Sequence, residues 1–166
     1  MPLVTFKALS YVEMKKYARN DPDSEVGYLQ DRHDYTRIIS ILDIDHFEPI
    51  FDRDKEDVVT FRFEDIDADQ WKKAKIETEG HAIFSPVQAD MMTDFIHTWH
   101  ELPGQGLLLV NCIAGVSRSG AVVTFAQQVC GGAYNLFCTM NRGIVPNAFV
   151  GRLLREAWQE KGYPTP

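Results

Sequence analysis

Leu107-Leu108-Leu109-Val110-Asn111-Cys112-Ile113-Ala114-Gly115-Val116-Ser117-Arg118-Ser119-Gly120 reads as a buried strand, a short loop and the first turn of a helix. The apolar run Leu107 to Val110, entered through Pro103-Gly104-Gln105-Gly106, has the length and flanks of a strand covered on both faces. After Gly120, Ala121-Val122-Val123-Thr124-Phe125-Ala126 is too long and too apolar for a loop and reads as a buried helix. Between strand and helix stand Cys112 and Arg118, with five residues between them.

A loop running from a strand end into a helix start leaves several backbone N–H groups unpaired and facing one concavity. The helix N-terminus adds partial positive charge, so a tetrahedral anion is favoured there. Arg118 can grip two anion oxygens through its planar fork. The same donors favour a thiolate, the nucleophilic form, at Cys112. Ser119 can donate to that sulfur and ease its departure in a later step. The bland alternative for Cys112 is an inert thiol buried at a strand end.

Outward from this loop, the 166 residues fit one domain with a sizeable core, spanning 1–166. A 45% hydrophobic and 25% charged composition is that of an ordinary globule, and the net charge of −7 argues against a broad nucleic-acid or membrane surface. No apolar run has the length of a membrane span, and Met1 to Lys7 lacks the layout of a signal peptide. Three cysteines make no disulfide framework, and Cys130 and Cys138 read as small core residues. A reducing, cytoplasmic compartment is expected.

Val4 to Leu9 alternates weakly, as an edge strand would, and Ser10-Tyr11-Val12-Glu13 opens a helix reaching about Arg19. Residues 25–35 read as loop. Arg37 to Leu42 and Val58 to Phe63 are β-rich runs, separated by the charged turn Asp52 to Asp57. Trp71 to Glu79 reads as a short surface helix or an irregular lid. Ser85-Pro86-Val87-Gln88 marks a helix start, with Val87, Met91, Phe95 and Trp99 as its apolar line, joined by Met92 and Leu102. His97 and His100 on that helix read as surface residues, since no third metal ligand is marked. Ala133 to Asn141 forms a short helix with Leu136, Phe137 and Met140 inward. Asn147 caps a last helix whose face is Val150, Leu153, Leu154, Ala157 and Trp158.

Strands alternating with helices predict an α/β fold with a mostly parallel central sheet flanked by helices. Sites in such sheets lie at the carboxyl ends of strands. Cys112 is there, and so are Asp43 and Asp45 after one strand and Asp65, Asp67 and Asp69 after another. Asp43 and Asp45 read as acceptors of backbone hydrogen bonds.

Cys112-Ile113-Ala114-Gly115-Val116-Ser117-Arg118-Ser119 resembles the signature loop of the cysteine-dependent protein tyrosine phosphatases of the compact dual-specificity type. Arg142 to Phe149 is similar to the segment in which an asparagine, here Asn147, buttresses that loop. Phe63-Glu64-Asp65-Ile66 resembles the loop bearing the general acid. The resemblance implies a phosphocysteine mechanism: nucleophile Cys112, phosphate held by Arg118 and the loop amides of Ile113, Ala114, Gly115, Val116 and Ser117. Ser119 would assist hydrolysis, and no metal or cofactor is required. Among the acids, the family-like pattern points to Asp65, with Asp67 second. Asn111 stands where the family usually has histidine, and it can supply some of the hydrogen bonds that order the loop.

These readings support a phosphomonoester hydrolase acting on phosphotyrosine or as a dual-specificity enzyme, with a phosphorylated protein or small phosphomonoester as partner. Two alternatives stay open. One is a phosphate-binding module with little turnover; the other is an arsenate-reductase-like redox enzyme, which needs a second cysteine able to reach Cys112.

Overall fold

The computed structural model describes residues 4–51 and 57–165. Four strands, β1 (Val4–Ser10), β2 (Tyr35–Leu42), β3 (Asp57–Arg62) and β4 (Gly106–Cys112), pair in the order β1-β4-β2-β3, and every pairing is parallel. The helices are α1 (Tyr11–Ala18), α2 (Gly27–Gln30), α3 (Ala68–Lys73), α4 (Pro86–His100), α5 (Arg118–Cys130), α6 (Tyr134–Met140) and α7 (Ala148–Glu160). None of the described helices is long and apolar enough to cross a membrane.

Alternation along the strands divides the core between the two faces of the sheet. Phe6, Ile39, Ile41, Phe61, Leu108, Val110 and Cys112 face one side, packed with Trp99 of α4, Phe125 of α5 and Trp158 of α7. Leu9, Ile38, Leu107 and Leu109 face the other, under Met14 and Tyr17 of α1 and Leu29 of α2. Each leucine so buried contributes about 1.5–3 kcal/mol, which is why β4 tolerates no exposure on either face.

Parallel pairing brings the carboxyl ends together. Ser10 lies opposite Cys112, Ser40 opposite Asn111, and Leu42 opposite Arg62. The segments leaving β2, β3 and β4 therefore meet along one edge, with the cysteine strand inside the sheet between β1 and β2.

Helix starts follow their capping residues. Ser85 and Gln88 form a reciprocal capping box at α4, Ser10 accepts from the Glu13 N–H at α1, and Asn147 accepts from the Val150 N–H at α7. Other expectations need correction. The 25–35 stretch holds a one-turn helix, α2, which has no side-chain cap to announce it. The helix near Trp71 begins at Ala68 because Asp67 caps it through the Gln70 N–H. On α4 the buried line is Ala89, Met92, Thr93, Ile96 and Trp99, while Val87 and Met91 are exposed. Four-residue steps advance about 400° around a helix, so such a line walks off the core within two turns. Leu136 and Cys138 are likewise exposed, leaving Phe137 as the buried side chain of α6. Most of the charged 52–57 turn lies outside the described residues.

Candidate active site

Cys112 ends β4 almost wholly buried. Its Sγ lies 3.2 Å from the Ser119 Oγ, and the Gly115 N–H donates to it at 3.3 Å. The turn that aims this N–H needs glycine. Gly115 has φ +74°, and a Cβ there would stand 2.5 Å from the Leu9 carbonyl carbon and the Ser10 nitrogen. The loop is thus pressed against the end of β1, where the Tyr11 N–H also donates to the Ile113 carbonyl at 3.2 Å. From the other side the Val145 N–H donates to the Val116 carbonyl and the Asn147 N–H to the Ser117 carbonyl, each at 3.2 Å. Ala114 is exposed at the loop's tip, and Ile113, Gly115, Val116 and Ser117 are half-buried.

Ser117 stands at the N-cap position of α5 but makes no side-chain cap. Its hydroxyl donates instead to Asp65 Oδ1 at 2.8 Å. The first-turn amides and the positive end of α5 are consequently left for a ligand rather than for the helix's own side chain.

Arg118 opens α5 with its side chain 4% exposed. Its Nη1 donates to Asp43 Oδ1 and to the Phe63 carbonyl, each at 2.5 Å. Asp43 follows β2 and Phe63 follows β3, so two strand ends fix one end of the guanidinium. Its Nε is buried without a partner among the described residues, a charged donor that an anion can satisfy. This corrects the reading of Asp43 as a mere acceptor of backbone hydrogen bonds. The pairing joins residues 75 apart in sequence, and no local pattern announces it.

The structure separates the three aspartates that follow β3. Asp65 accepts from Ser117 and, at 3.0 Å, from the Asn147 amide, which ties it to the cysteine loop. Asp67 is spent capping α3, and Asp69 pairs with Arg152 of α7 at 2.8 Å. Asp65 therefore stands at the mouth of the loop and is itself exposed. It borders a cleft of about 400 Å³ that Arg118, Asp43, Asp45, His46 and Glu64 also line. On its other side lies a cleft of about 330 Å³ with Trp71 and Val145 in its wall. Asn147 serves three contacts: its backbone N–H holds the loop, its Oδ1 caps α7, and its Nδ2 holds Asp65.

Asn111 does not join this network. It is fully buried, and neither its Nδ2 nor its Oδ1 has a hydrogen-bond partner among the described residues. The alternation that turns Cys112 toward the face of α5 turns Asn111 toward the face covered by α1, beside the equally unpartnered Ser40 hydroxyl in register on β2. The expectation that its side chain hydrogen-bonds the loop is not met.

The other cysteines are remote in chemistry and place. Cys130 ends α5, and a helix rise of ~1.5 Å per residue puts it about 18 Å along the axis from Arg118. Burial pushes its thiol up to about 12. Cys138 is exposed on α6. His97 stacks on Tyr163 at 3.8 Å between ring centroids and meets Trp158 edge-on. No group of three or more metal-ligating side chains is present among the described residues.

No protein-family model matches the sequence, and no curated protein matches it significantly. Solved structures do match. The human tyrosine phosphatase-like serine/threonine/tyrosine-interacting protein superposes with a TM-score of 0.51 at 22% identity, over 85% of each chain. DUSP15 gives 0.54 at 18% identity over 96% of this chain and 86% of its own. A human DUSP28 variant gives 0.54 at 11% identity over 98% and 93%. The chain has the compact dual-specificity phosphatase fold.

Proposed function

We propose that the protein is a cysteine-dependent phosphomonoester hydrolase, a tyrosine or dual-specificity phosphatase acting on a phosphorylated protein. The observation that carries the reading is the cradle itself. Cys112 Sγ, with the Gly115 N–H and Ser119 Oγ upon it, shares one loop with a buried arginine whose Nη1 is fixed and whose Nε is unpartnered.

In the first step the Cys112 thiolate attacks phosphorus. The P–S bond forms as the ester P–O bond breaks, and Asp65 passes its proton to the leaving oxygen. Arg118 and the loop amides hold the equatorial oxygens as charge shifts between nucleophile and leaving group. In the second step the Asp65 carboxylate takes a proton from water, whose oxygen attacks phosphorus and releases inorganic phosphate. The sulfur leaves as thiolate, and the Ser119 hydroxyl donates to it. The scheme uses no metal. Asp43 acts as a positioning residue through Arg118, and Asn147 holds Asp65 and the loop in one arrangement.

Hydrolysis of an aryl phosphate in the presence of a chelator tests the reading. Wild type is expected to turn over, while Cys112→Ser and Arg118→Ala fall to background. One observation favours a second reading, a phosphate-binding module: Asn111 gives the loop no hydrogen bond. Wild-type turnover no higher than that of Cys112→Ser, with phosphate binding intact, would establish the module instead. The burial of Cys130 and the distance along α5 tell against the redox reading, which needs a resolving thiol near Cys112.

A further inference from the structure

The cleft that leads to Arg118 has an unusual lining for a site that takes a dianion. Among the described residues, Asp43, Asp45, Glu64 and Asp65 line it with four carboxylates against Arg118 and His46, and Asp43 is paired with Arg118. Two neighbouring basic side chains among the described residues are already engaged. Arg62 donates through Nη1 to the carbonyls of Asp43, Ile44 and His46, bracing the segment that carries them. His81 pairs with Glu64 at 2.8 Å, which leaves Asp45 as a lining carboxylate in no ion pair among the described residues.

The same braced segment exposes apolar surface. Ile44 is 60%, Phe47 85% and Ile50 89% exposed, although the Phe47 carbonyl is itself held by the Tyr11 hydroxyl at 2.8 Å. A segment pinned by four side-chain bonds yet presenting three large apolar side chains outward is shaped to be covered. Beside it lies the cleft lined by the nearly buried Arg118, whose Nε has no partner among the described residues.

A dianion held by Arg118 leaves the negative charge of Asp45 standing at the rim. Further negative charge on the ligand meets repulsion, whereas a cation beside the phosphoryl group is drawn into the field. Building on the phosphatase reading, we infer that the substrate is a basic phosphopeptide. Lysine or arginine next to the phosphorylated residue faces Asp45 and Glu64, and an apolar side chain beyond it covers Ile44 and Phe47. A polyphosphorylated headgroup has the wrong charge for this rim.

Three phosphotyrosine peptides that differ only in flanking lysines, serines or glutamates test the inference. Wild type is expected to show kcat/KM about tenfold higher for the lysine than for the glutamate peptide at low salt. The ratio should shrink at 0.5 M salt, as screened surface charges require (a Debye length of roughly 4–5 Å). Asp45→Lys should bring the ratio near unity, and Phe47→Ser, outside the cleft, should lower kcat/KM for all three peptides while leaving kcat on a small aryl phosphate unchanged. Dissociation constants of the same peptides with Cys112→Ser give a reading independent of turnover, and the same order is expected. Absence of aryl phosphate hydrolysis would defeat the hydrolase reading alone. Equal affinities for the three peptides, a preference for glutamate, or tighter binding of an inositol polyphosphate would overturn the inference.

Discussion

Asn111 and Cys112 are neighbours at the end of β4, both fully or nearly buried, and they live in opposite environments. The cysteine faces α5, and its sulfur meets two polar contacts from its own loop. The asparagine faces the α1 side, and its amide meets none among the described residues. One peptide bond therefore separates a site organised around a reactive atom from a polar group that the surrounding apolar packing merely encloses. A strand's two-residue period, rather than proximity in sequence, decides which residue serves the loop.

The strongest way to test the contrast is to remove the sulfur. Cys112→Ser should lower turnover by about 10³-fold or more, as loss of a nucleophile does elsewhere, while the melting temperature stays within a degree or two. A change of stability without loss of turnover would reverse the roles of the two faces. Next in size is the proposed general acid. Asp65→Asn keeps the acceptors for Ser117 and Asn147 but cannot give up a proton, so kcat should fall by about 10²–10⁴-fold. The loss should grow as the leaving group becomes more basic. Asp67→Ala should instead cost about 1 kcal/mol at the N-cap of α3 and leave that leaving-group dependence unchanged. If Asp67→Ala abolished it, the proton donor would be Asp67.

What the chain discloses before folding follows from how local each signal is. The β-branched and leucine-rich runs of β2 and β4 and the caps Ser10, Ser85 and Asn147 lie within a few residues of what they determine, and each lands where its pattern points. Cys112, Arg118 and Ser119 flank one short loop and are equally local in the sequence. Asp65 could be ranked but not separated from Asp67 and Asp69, because the separation rests on Ser117, Asn147 and Arg152, 52 to 83 residues away. Asp43 was unreadable for the same reason. Val87 and Leu136 misled because hydrophobicity reports what can be buried, not which side of a short helix meets the sheet.

On the other face, Asn111→Leu replaces a buried, unpartnered amide by an apolar side chain of similar size. Burying such a group unpaired costs about 1–3 kcal/mol, so the substitution should raise the melting temperature by roughly 2–4 °C for each kcal/mol recovered. Turnover should remain within about twofold, since the side chain makes no contact with the loop. A large loss of kcat with normal stability would show that Asn111 acts on the nucleophile after all, and the contrast between the faces would fail.

The smallest effect lies away from both faces, where α7 is clasped to α4. Lys161 Nζ reaches Asp94 at 2.6 Å and Asp90 at 2.9 Å, and the Tyr163 hydroxyl also donates to Asp94. Burial works to raise the Asp94 carboxyl, but the hydrogen bonds from Lys161 and Tyr163 outweigh it and hold it below its usual range. A carboxyl depressed in the folded state stabilises the fold above its unfolded value, about 3.9, and the benefit fades as pH falls through the lower folded value. The Asp94 side chain is 47% exposed, so solvent screening limits the clasp to the order of 0.5 kcal/mol. Urea unfolding of wild type and Asp94→Asn should differ by that amount near pH 7 and converge as pH falls through the depressed folded value, with kcat equal throughout the range where both are folded. A gap that widened in acid would mean that the carboxyl is raised rather than depressed, and that burial, not Lys161, governs it.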